Sequence, residues 1–541
     1  MTSVKASMSA GHKMVHDANL QDLATTLGCK MKNSTATMQT QLAAATVTHP
    51  RMLIGRQQTI VYLRQKQAEL SAKWNTRFAR LSEIEAEVGA FFKKDAKDKD
   101  SLEEDAIAQL SFQQQALKPL NHIPFLLVCL SAFKIWLVPA ASILLPLLVW
   151  ILPYILLRFV YALPITQEQY MQIVQQIMSG NMNLPNFHDT PVAAPEPITL
   201  RAIFQYMMFS FTFVQSMIQP IQNAMHLYKT DSICLKLGKQ ILEIRKALQE
   251  FRADLGPVNG IHVKLSFSLE QLDASDARIA FISIQEYPEN IHMVFRDLAN
   301  LECMWNLATH KSLEMVTFSR GVLKLDNAVD ISLGDAAIPS SLHLQEQPHA
   351  ILTGPNGGGK SSFLRSVLQC VLIGHAFGFA PAEEAYMPRF TWIASGLQLR
   401  DSPGKLSMFE TEVKFAADCI LTARRGGPGL VIFDELFHST NPPDSVRTAT
   451  QFLQRLWKQN DLFTVVSTHI FPLVAAAPKN VQALCCPATQ DEDGTIHYSY
   501  GVQSGVCTIS SVHTVWQKFG LVPARLTGHR QSLNEKENNA K

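Results

Sequence analysis

Apolar positions keep helical spacing through the first part of the chain. Leu53, Ile54, Ile60 and Leu63 follow it, and Trp74 to Phe92 extends it as a long amphipathic helix. Residues 21–123 therefore predict a helical core with an outgoing lever, after a polar stretch, 1–20, expected to be disordered. Lys93 to Asp105 is dense in both signs and reads as a solvated loop or helix end. Then the pattern changes. Pro124 to Leu157 runs apolar with Lys134 as its one charge. Beyond Arg158, Met171 to Met178 is helical, and Gly180 to Pro197 has the prolines and polar residues of a loop. Ile203 to Ile218 is rich in Phe and Met, while Gln205 and Gln215 favour a core helix over a spanning one. Leu235 to Phe251 is amphipathic with charged faces, as in a lever, and Ile284 to Leu307 is helical. These make 159–315 a returning lever and core. After Val316 short strands alternate with glycine turns and helices, an α/β texture assigned to 316–525, with a disordered tail at 526–541.

The apolar run, 124–158, exceeds the roughly 20 residues a membrane span needs and is too long for an ordinary core helix. Pro139, Pro146 and Pro153 are easier to place in a membrane segment than in a soluble helix. The alternative is a buried helical hairpin.

Candidate chemistry is concentrated in the α/β part. His349 to Thr353 is an apolar strand that runs into Gly354, Pro355, Asn356, Gly357, Gly358, Gly359, Lys360, Ser361 and Ser362, with G-x-x-x-x-G-K-S spacing. Glycines let backbone N–H groups turn inward and cradle phosphate oxygens. Lys360 would reach the β and γ phosphates of ATP, and Ser361 would hold Mg²⁺. Phe363, Val367, Val371 and Gly374 share one side of the next helix, whose N-terminal dipole favours phosphate. Leu430 to Phe433 is a strand ending in Asp434 and Glu435. Asp434 would hold Mg²⁺ through its water shell, and Glu435 would orient or deprotonate the attacking water. Leu462 to Ser467 is a further buried strand, ending in Thr468 and His469, where His469 can contact the γ-phosphate. Ser407 opens a helix between the glycine turn and the acidic strand. That order of motifs is typical of ATPases in which two copies sandwich nucleotide, so Ser407 could contact the γ-phosphate bound in a partner.

Composition narrows the classes. A net charge of +2 over 541 residues creates no global field for nucleic acid. Lys236, Lys239, Arg245 and Lys246 make a modest basic cluster that a solvated helix face explains equally well. The nine cysteines show no Cys-x-x-Cys spacing, Cys485 and Cys486 read as strand residues, and reduced thiols in a cytosolic compartment fit. No secretory pattern opens the chain.

The C-terminal third resembles the MutS family of DNA mismatch-repair ATPases. Thr353 to Ser362 is similar to that family's TGPNxxGKST, and Phe379 to Glu383 to its FVPAE. Ser407, Met408 and Phe409 with Glu412 resemble STFMxE. Asp434, Glu435 and Thr440 fit its DE-x-x-x-x-T-S loop, with Asn441 in place of Ser, and Thr468-His469 fits its ATH. Tyr500, Gly505 to Cys507, Ser510 and Phe519 to Leu521 resemble its closing strand and helix. Upstream, Thr26 to Gly28, Pro50, Arg56-Gln57 and Ile60 look like the start of its helical core, and Leu298 to Leu301 through Ala308 like that core's last helix. The resemblance implies an α/β P-loop (ABC-type) ATPase domain preceded by a mostly helical core and lever, Mg²⁺-dependent ATP hydrolysis, and a homodimer or heterodimer through the ATPase domain. DNA, mismatched or branched, is the implied partner. Three departures qualify it. The chain begins at or just before the core, without the mismatch-reading domain. The apolar run stands where the DNA clamp would be. Leu436, Phe437 and His438 replace a glycine-rich arginine segment.

These readings describe a membrane-anchored, MutS-like ATPase with its ATPase domain on the cytosolic side, or alternatively a membrane-tethering or remodelling ATPase. A transport ATPase fits less well, since an LSGGQ-like signature and a multi-helix pore are missing. If the helical core flanks the insertion on both sides, the crossings must be even in number. Two short arms could meet near Pro139 to Pro146. The other option is a crossing from Ile135 to Leu157 with a return from Ile203 to Ile218. Lys118 and Arg158 flanking a hairpin favour the first.

Overall fold

Three runs of buried residues, His349–Thr353, Gly429–Phe433 and Leu462–Ser467, form the middle of a six-stranded sheet. Strands covered on both faces read as continuous apolar runs, and these do. From edge to edge the order is Gln503–Ser504, Val481–Cys485, His349–Thr353, Leu462–Ser467, Gly429–Phe433 and Trp392–Gly396. All neighbours are parallel except the short edge strand Gln503–Ser504. Leu352 pairs with Ser467 and Phe433 with Val466, so the three inner strands end level with one another. Helices Lys360–Phe377, Met408–Ala423 and Pro442–Leu456 accompany the sheet. The last buries Ala449, Phe452, Leu453 and Leu456 with Val431, Phe433 and Val466 in one apolar cluster. A second sheet of five strands runs Ser340–Leu344, Leu323–Ala328, Glu384–Met387, Glu314–Phe318 and Phe379–Ala380. The computed structural model describes residues 11–93, 101–163, 165–166, 169–170, 173–174, 200–256, 276–399, 406–491, 495–511, 515–516 and 519.

The chain divides into two compact units, and their borders differ from those expected at 123/124 and 315/316. The first takes its described residues from Met1–Ser82, Leu255–Leu265 and Phe295–Lys541, so the start and end of the helical core belong with both sheets. Polar side chains from the core close this unit. Gln57 donates to the Val316 and Gly378 carbonyls at 3.0 and 3.1 Å, and Arg56 to the Ala376 carbonyl at 2.7 Å. Buried Glu302 accepts from the Lys30 and Met31 N–H groups and from the Ser34 hydroxyl, at 2.7, 3.0 and 2.6 Å. The disorder expected for 1–20 does not extend to residues 11–17. They are helical, with Met14, Val15, Ala18 and Leu20 buried, and Asp17 accepts a hydrogen bond from Ser395 at 2.7 Å. Four apolar contacts outweigh the polar average of the stretch.

Two buried histidines give this unit an acid limit. His375 sits on the helix Lys360–Phe377, with Nδ1 2.9 Å from the Val371 carbonyl, while Nε2 accepts from the Phe390 N–H at 2.8 Å. His349 lies beside Thr464 Oγ1 at 3.1 Å. Burial pushes both from 6.5 down to about 4. The unfolded chain therefore takes up these protons first. Stability present above pH 6.5 is lost progressively as the pH falls towards 4, by roughly 1.4 kcal/mol per pH unit for each histidine. Thermal unfolding followed between pH 7 and 4.5 should show a falling midpoint, less steep in His375→Gln relative to its own neutral value. Equal slopes in the two proteins would refute the assignment.

The second unit takes its described residues from Glu83–Asp254 and Ser266–Val294 and is helical. Its apolar run is one continuous helix, Pro124–Ala132, Phe133–Leu137, Val138–Ile155 and Leu156–Val160, with right-handed helical backbone at each junction. A hairpin bend near Pro139 to Pro146 is therefore excluded. The chain absorbs Pro139, which lacks an N–H, by widening the preceding turn, Phe133–Leu137, into a π-helical one. The long helix Leu200–Leu255 contains both Ile203 to Ile218 and Leu235 to Phe251. The first of these is not a core helix: Phe204, Met207, Met208, Phe211, Val214 and Ile218 are exposed. The helix expected over Ile284 to Leu307 is two, Ala277–Glu286 and Pro288–Thr309, because Pro288 drives Tyr287 out of helical backbone (φ −135°, ψ 69°). The loop expected at Gly180 to Pro197, most of the helix at Met171 to Met178 and the tail 526–541 lie outside the described residues.

Candidate nucleotide site

Level strand ends bring the three motifs to one edge of the sheet, where ligands of parallel α/β sheets bind. Gly354 to Gly359 turns from the strand His349–Thr353 into the helix Lys360–Phe377. The turn needs glycine at Gly354 (φ 147°) and Gly359 (φ 101°). A Cβ on Gly354 would also sit 3.0 Å from the Cys486 carbonyl oxygen.

Lys360 is nearly fully buried in this turn. Its Nζ donates to the Gly354 and Pro355 carbonyls at 3.0 and 3.1 Å and lies 3.5 Å from Asn356 Oδ1. Burial lowers its pKa, partly offset by Glu435 and Asp434. Ser361 Oγ donates to Asp434 Oδ2 at 2.6 Å. The other Asp434 oxygen accepts from Ser467, whose own oxygen accepts from the Glu435 N–H at 2.9 Å. His469 Nε2 stands between Lys360 Nζ, at 3.2 Å, and Glu435 Oε1, at 3.3 Å. With a proton it donates to Glu435, and without one it accepts from Lys360. It cannot do both at once. The bond to His469 holds the Glu435 carboxyl below the usual carboxylate range against the opposing effect of burial. Glu435 and Phe437 both have left-handed backbone, φ 52° and 53°, a strain that marks functional turns.

A cavity of about 590 Å³ opens over these groups. Asn356, Gly357, Gly359, Lys360, Ser361, Ser362 and Glu435 line it. Asp434 and His469 reach it through Ser361 and Lys360. Gly358 packs under the turn, where its Cβ would meet the Pro355 carbonyl oxygen at 3.1 Å. Ser361 Oγ and the Asp434 carboxylate are the hard oxygen donors that Mg²⁺ takes, so the residues present fit that ion.

Ser407 is not among the residues lining the cavity. It caps the helix Met408–Ala423 through a capping box with Glu410. Residues 520 and 521 lie outside the described residues. Glu412 of that helix is buried. It accepts from Ser439, and its Oε1 is 3.2 Å from His438 Nδ1, which also lies 2.9 Å from the Glu435 carbonyl oxygen. The loop after Glu435 is thus tied to the helix that begins at Ser407, with Leu436 and Phe437 in the core.

Sequence reasoning missed Ser467, although a serine closing an otherwise apolar strand beside His469 was a signal. It also missed the wall formed by Asp330, Leu333, Ala336 and Ile338. Asp330 is held there by Arg365 and Gln369 at 2.6 and 2.7 Å. No motif in the sequence marks that turn as part of a site.

Residues 350–535 match the family model of MutS domain V. The chain is 26% identical over 243 residues to the DNA mismatch repair protein MutS of Leuconostoc mesenteroides, covering 42% of this chain and 28% of that protein. It is 31% identical over 179 residues to the MutS of Thermus thermophilus, covering 31% and 22%. Thermus aquaticus MutS is 30% identical over 177 residues, covering 31% and 21%. The chain thus spans between about a fifth and 28% of the length of these relatives. By its C-terminal third, then, the chain is similar to the ATP-binding part of MutS proteins.

Proposed function

We propose that this protein binds and hydrolyses ATP with Mg²⁺ as a MutS-like ATPase, that nucleotide modulates its binding to DNA, and that it is anchored to a membrane. The observation that carries the ATPase reading is the convergence of Lys360, Ser361, Asp434, Glu435 and His469 on one cavity. Lys360 and the N–H groups of the glycine turn would hold the phosphate oxygens, exchanging the carbonyls Lys360 now bonds. Ser361 and Asp434 would hold Mg²⁺, which when bound neutralises charge on the β and γ phosphates. Glu435, ionised and oriented by His469, would take the proton of the attacking water. The apolar Leu333, Ala336 and Ile338 suit the nucleoside end. Ser407 is not among the residues that line this cavity, as expected of a group that serves a second copy in a dimer.

DNA binding rests on the MutS likeness. The second reading, a membrane-tethering or remodelling ATPase without mismatch recognition, is favoured by the exposed apolar residues of the helical unit, which stand in the region of the chain where the family's DNA clamp would lie. Titration of the detergent-solubilised protein with homoduplex, mismatched and branched DNA, with and without ATP at two salt concentrations, separates the two. ATP-modulated preference for mismatched or branched DNA supports the first. Binding that is equal for all three and disappears with salt leaves the second.

A further inference from the structure

We infer that the helical unit crosses a lipid bilayer twice, outward along Trp136 to Phe159 and back along Phe204 to Tyr228, with Tyr161 and Arg201 at the far face. This rests on the membrane reading above and deepens it. The continuous helix through Pro139 and Pro146 removes the alternative of a hairpin within the apolar run.

Fully buried positions end at nearly the same level on both helices, at Pro139 on the first and Leu227 on the second. Before Trp136 one face of the helix is packed, with Leu127 and Ile135 buried, while Phe125, Val128 and Phe133 are exposed. Ile135 shares an apolar cluster with Ala106, Leu110 and Leu227 of the long helix. After Trp136 Pro139 is buried and Ile143 and Leu157 are half-buried, while Leu137, Leu144, Leu145, Leu148, Ile151 and Ile155 are each more than 40% accessible. The long helix mirrors this. Leu227, Cys234, Leu237 and Ile241 are buried on one face while Tyr228 and Ile233 are exposed, and from Met225 back to Phe204 none of the described side chains is buried. Trp136 and Tyr228 meet at that level, ring centroids 6.3 Å apart, the placement expected of aromatic anchors at a membrane–water interface. At the other end, Arg158 bonds the Tyr154 hydroxyl at 2.6 Å and lies over the rings of Tyr154 and Phe159, with Tyr161 next in line. The Arg158 head thus lies within an aromatic group, as in an interfacial belt.

Length and charge agree. Each crossing has 24 or 25 residues, about 36 Å of helix against a hydrocarbon core of about 30 Å, which a modest tilt accommodates. No Asp, Glu, Lys or Arg occurs between Lys134 and Arg158 or between Arg201 and Lys229. No Lys or Arg occurs between Arg158 and Arg201, where Glu168, Asp189 and Glu196 are the charged residues. Within about 20 residues of the near ends stand Lys118, Lys134, Lys229, Lys236, Lys239, Arg245 and Lys246, against Arg158 and Arg201 at the far ends. That asymmetry is the positive-inside pattern, with the near face cytosolic. Such a count requires both helices to cross, because a single crossing would put Lys229 to Lys246 opposite Lys118 and Lys134.

The test uses the full chain in sealed membrane vesicles, with Cys129→Ser as background and a membrane-impermeant maleimide. Tyr161→Cys probes the far face, and Tyr287→Cys, at an exposed position of the same unit, probes the near one. The expected result is a chain that stays in the pellet after alkaline carbonate, with one probe labelled in sealed vesicles and the other solely after permeabilisation. A pelleted chain whose two probes label from the same side overturns the double crossing while the membrane reading stands. Release by carbonate, as for helices covered by a protein partner, overturns both.

Discussion

Lys360→Ala is expected to abolish ATP binding at concentrations that saturate the unaltered protein. Lys360 Nζ is buried at the floor of the cavity and makes its bonds to carbonyl oxygens of the same turn that would cradle phosphate. Against an anionic phosphate these become charge-assisted bonds, each worth about 1.5–3 kcal/mol net. Losing two such bonds raises Kd by roughly 10²- to 10⁴-fold. Alanine introduces no new charge, and the site's carboxylates, Asp434 and Glu435, are left without their nearby cation, which repels phosphate further. Equilibrium titration with a fluorescent ATP analogue measures the change, and an unchanged thermal midpoint shows that the fold survives. Affinity within a few-fold of the unaltered protein would sink the assignment of this turn to phosphate.

Glu435→Gln should leave ATP bound and hydrolysis lost. Glutamine keeps the length of the side chain and an oxygen that can accept from His469, so the 3.3 Å contact and the left-handed turn are preserved. What disappears is the carboxylate that accepts a proton. A positioned general base contributes typically 10²- to 10⁴-fold, and single-turnover hydrolysis should fall by about that factor. The affinity for ATP should hold or rise, since one negative charge beside the phosphates is gone. Hydrolysis at the unaltered rate would remove Glu435 as the base and leave it a structural contact of His469.

The local parts of the candidate site were legible in the chain because each follows from short-range chemistry. Glycines at fixed spacing, an apolar run ending in Asp434 and Glu435, and another ending in His469 are read without knowing what packs where. Ser467 was not legible as a bridge. Its role depends on the histidine strand lying between the glycine-turn strand and the acidic strand, an order set by sheet pairing. Asp330 was hidden for a similar reason. It enters the cavity wall because Arg365 and Gln369, on the helix after the glycine turn, hold it there from far along the chain.

The helical part shows the same division. An apolar run with Lys134 as its one charge pointed to a membrane segment by composition and length alone. Whether its prolines bent it was a matter of backbone geometry, and one π turn ahead of Pro139 keeps the helix continuous. Gln205 and Gln215 suggested a core helix by polarity, yet burial depends on what lies beside a helix, and none of the described side chains there is buried. Sequence by itself determined which residues are candidates for the chemistry and which stretches are apolar, since both are properties of residue type and spacing. Tertiary structure decided which motifs meet, which helical face is covered and where the chain divides. Those outcomes depend on contacts between residues hundreds of positions apart, such as Gln57 on Gly378 and Glu302 on Lys30, whose pairing is set by the packed whole and by no local pattern.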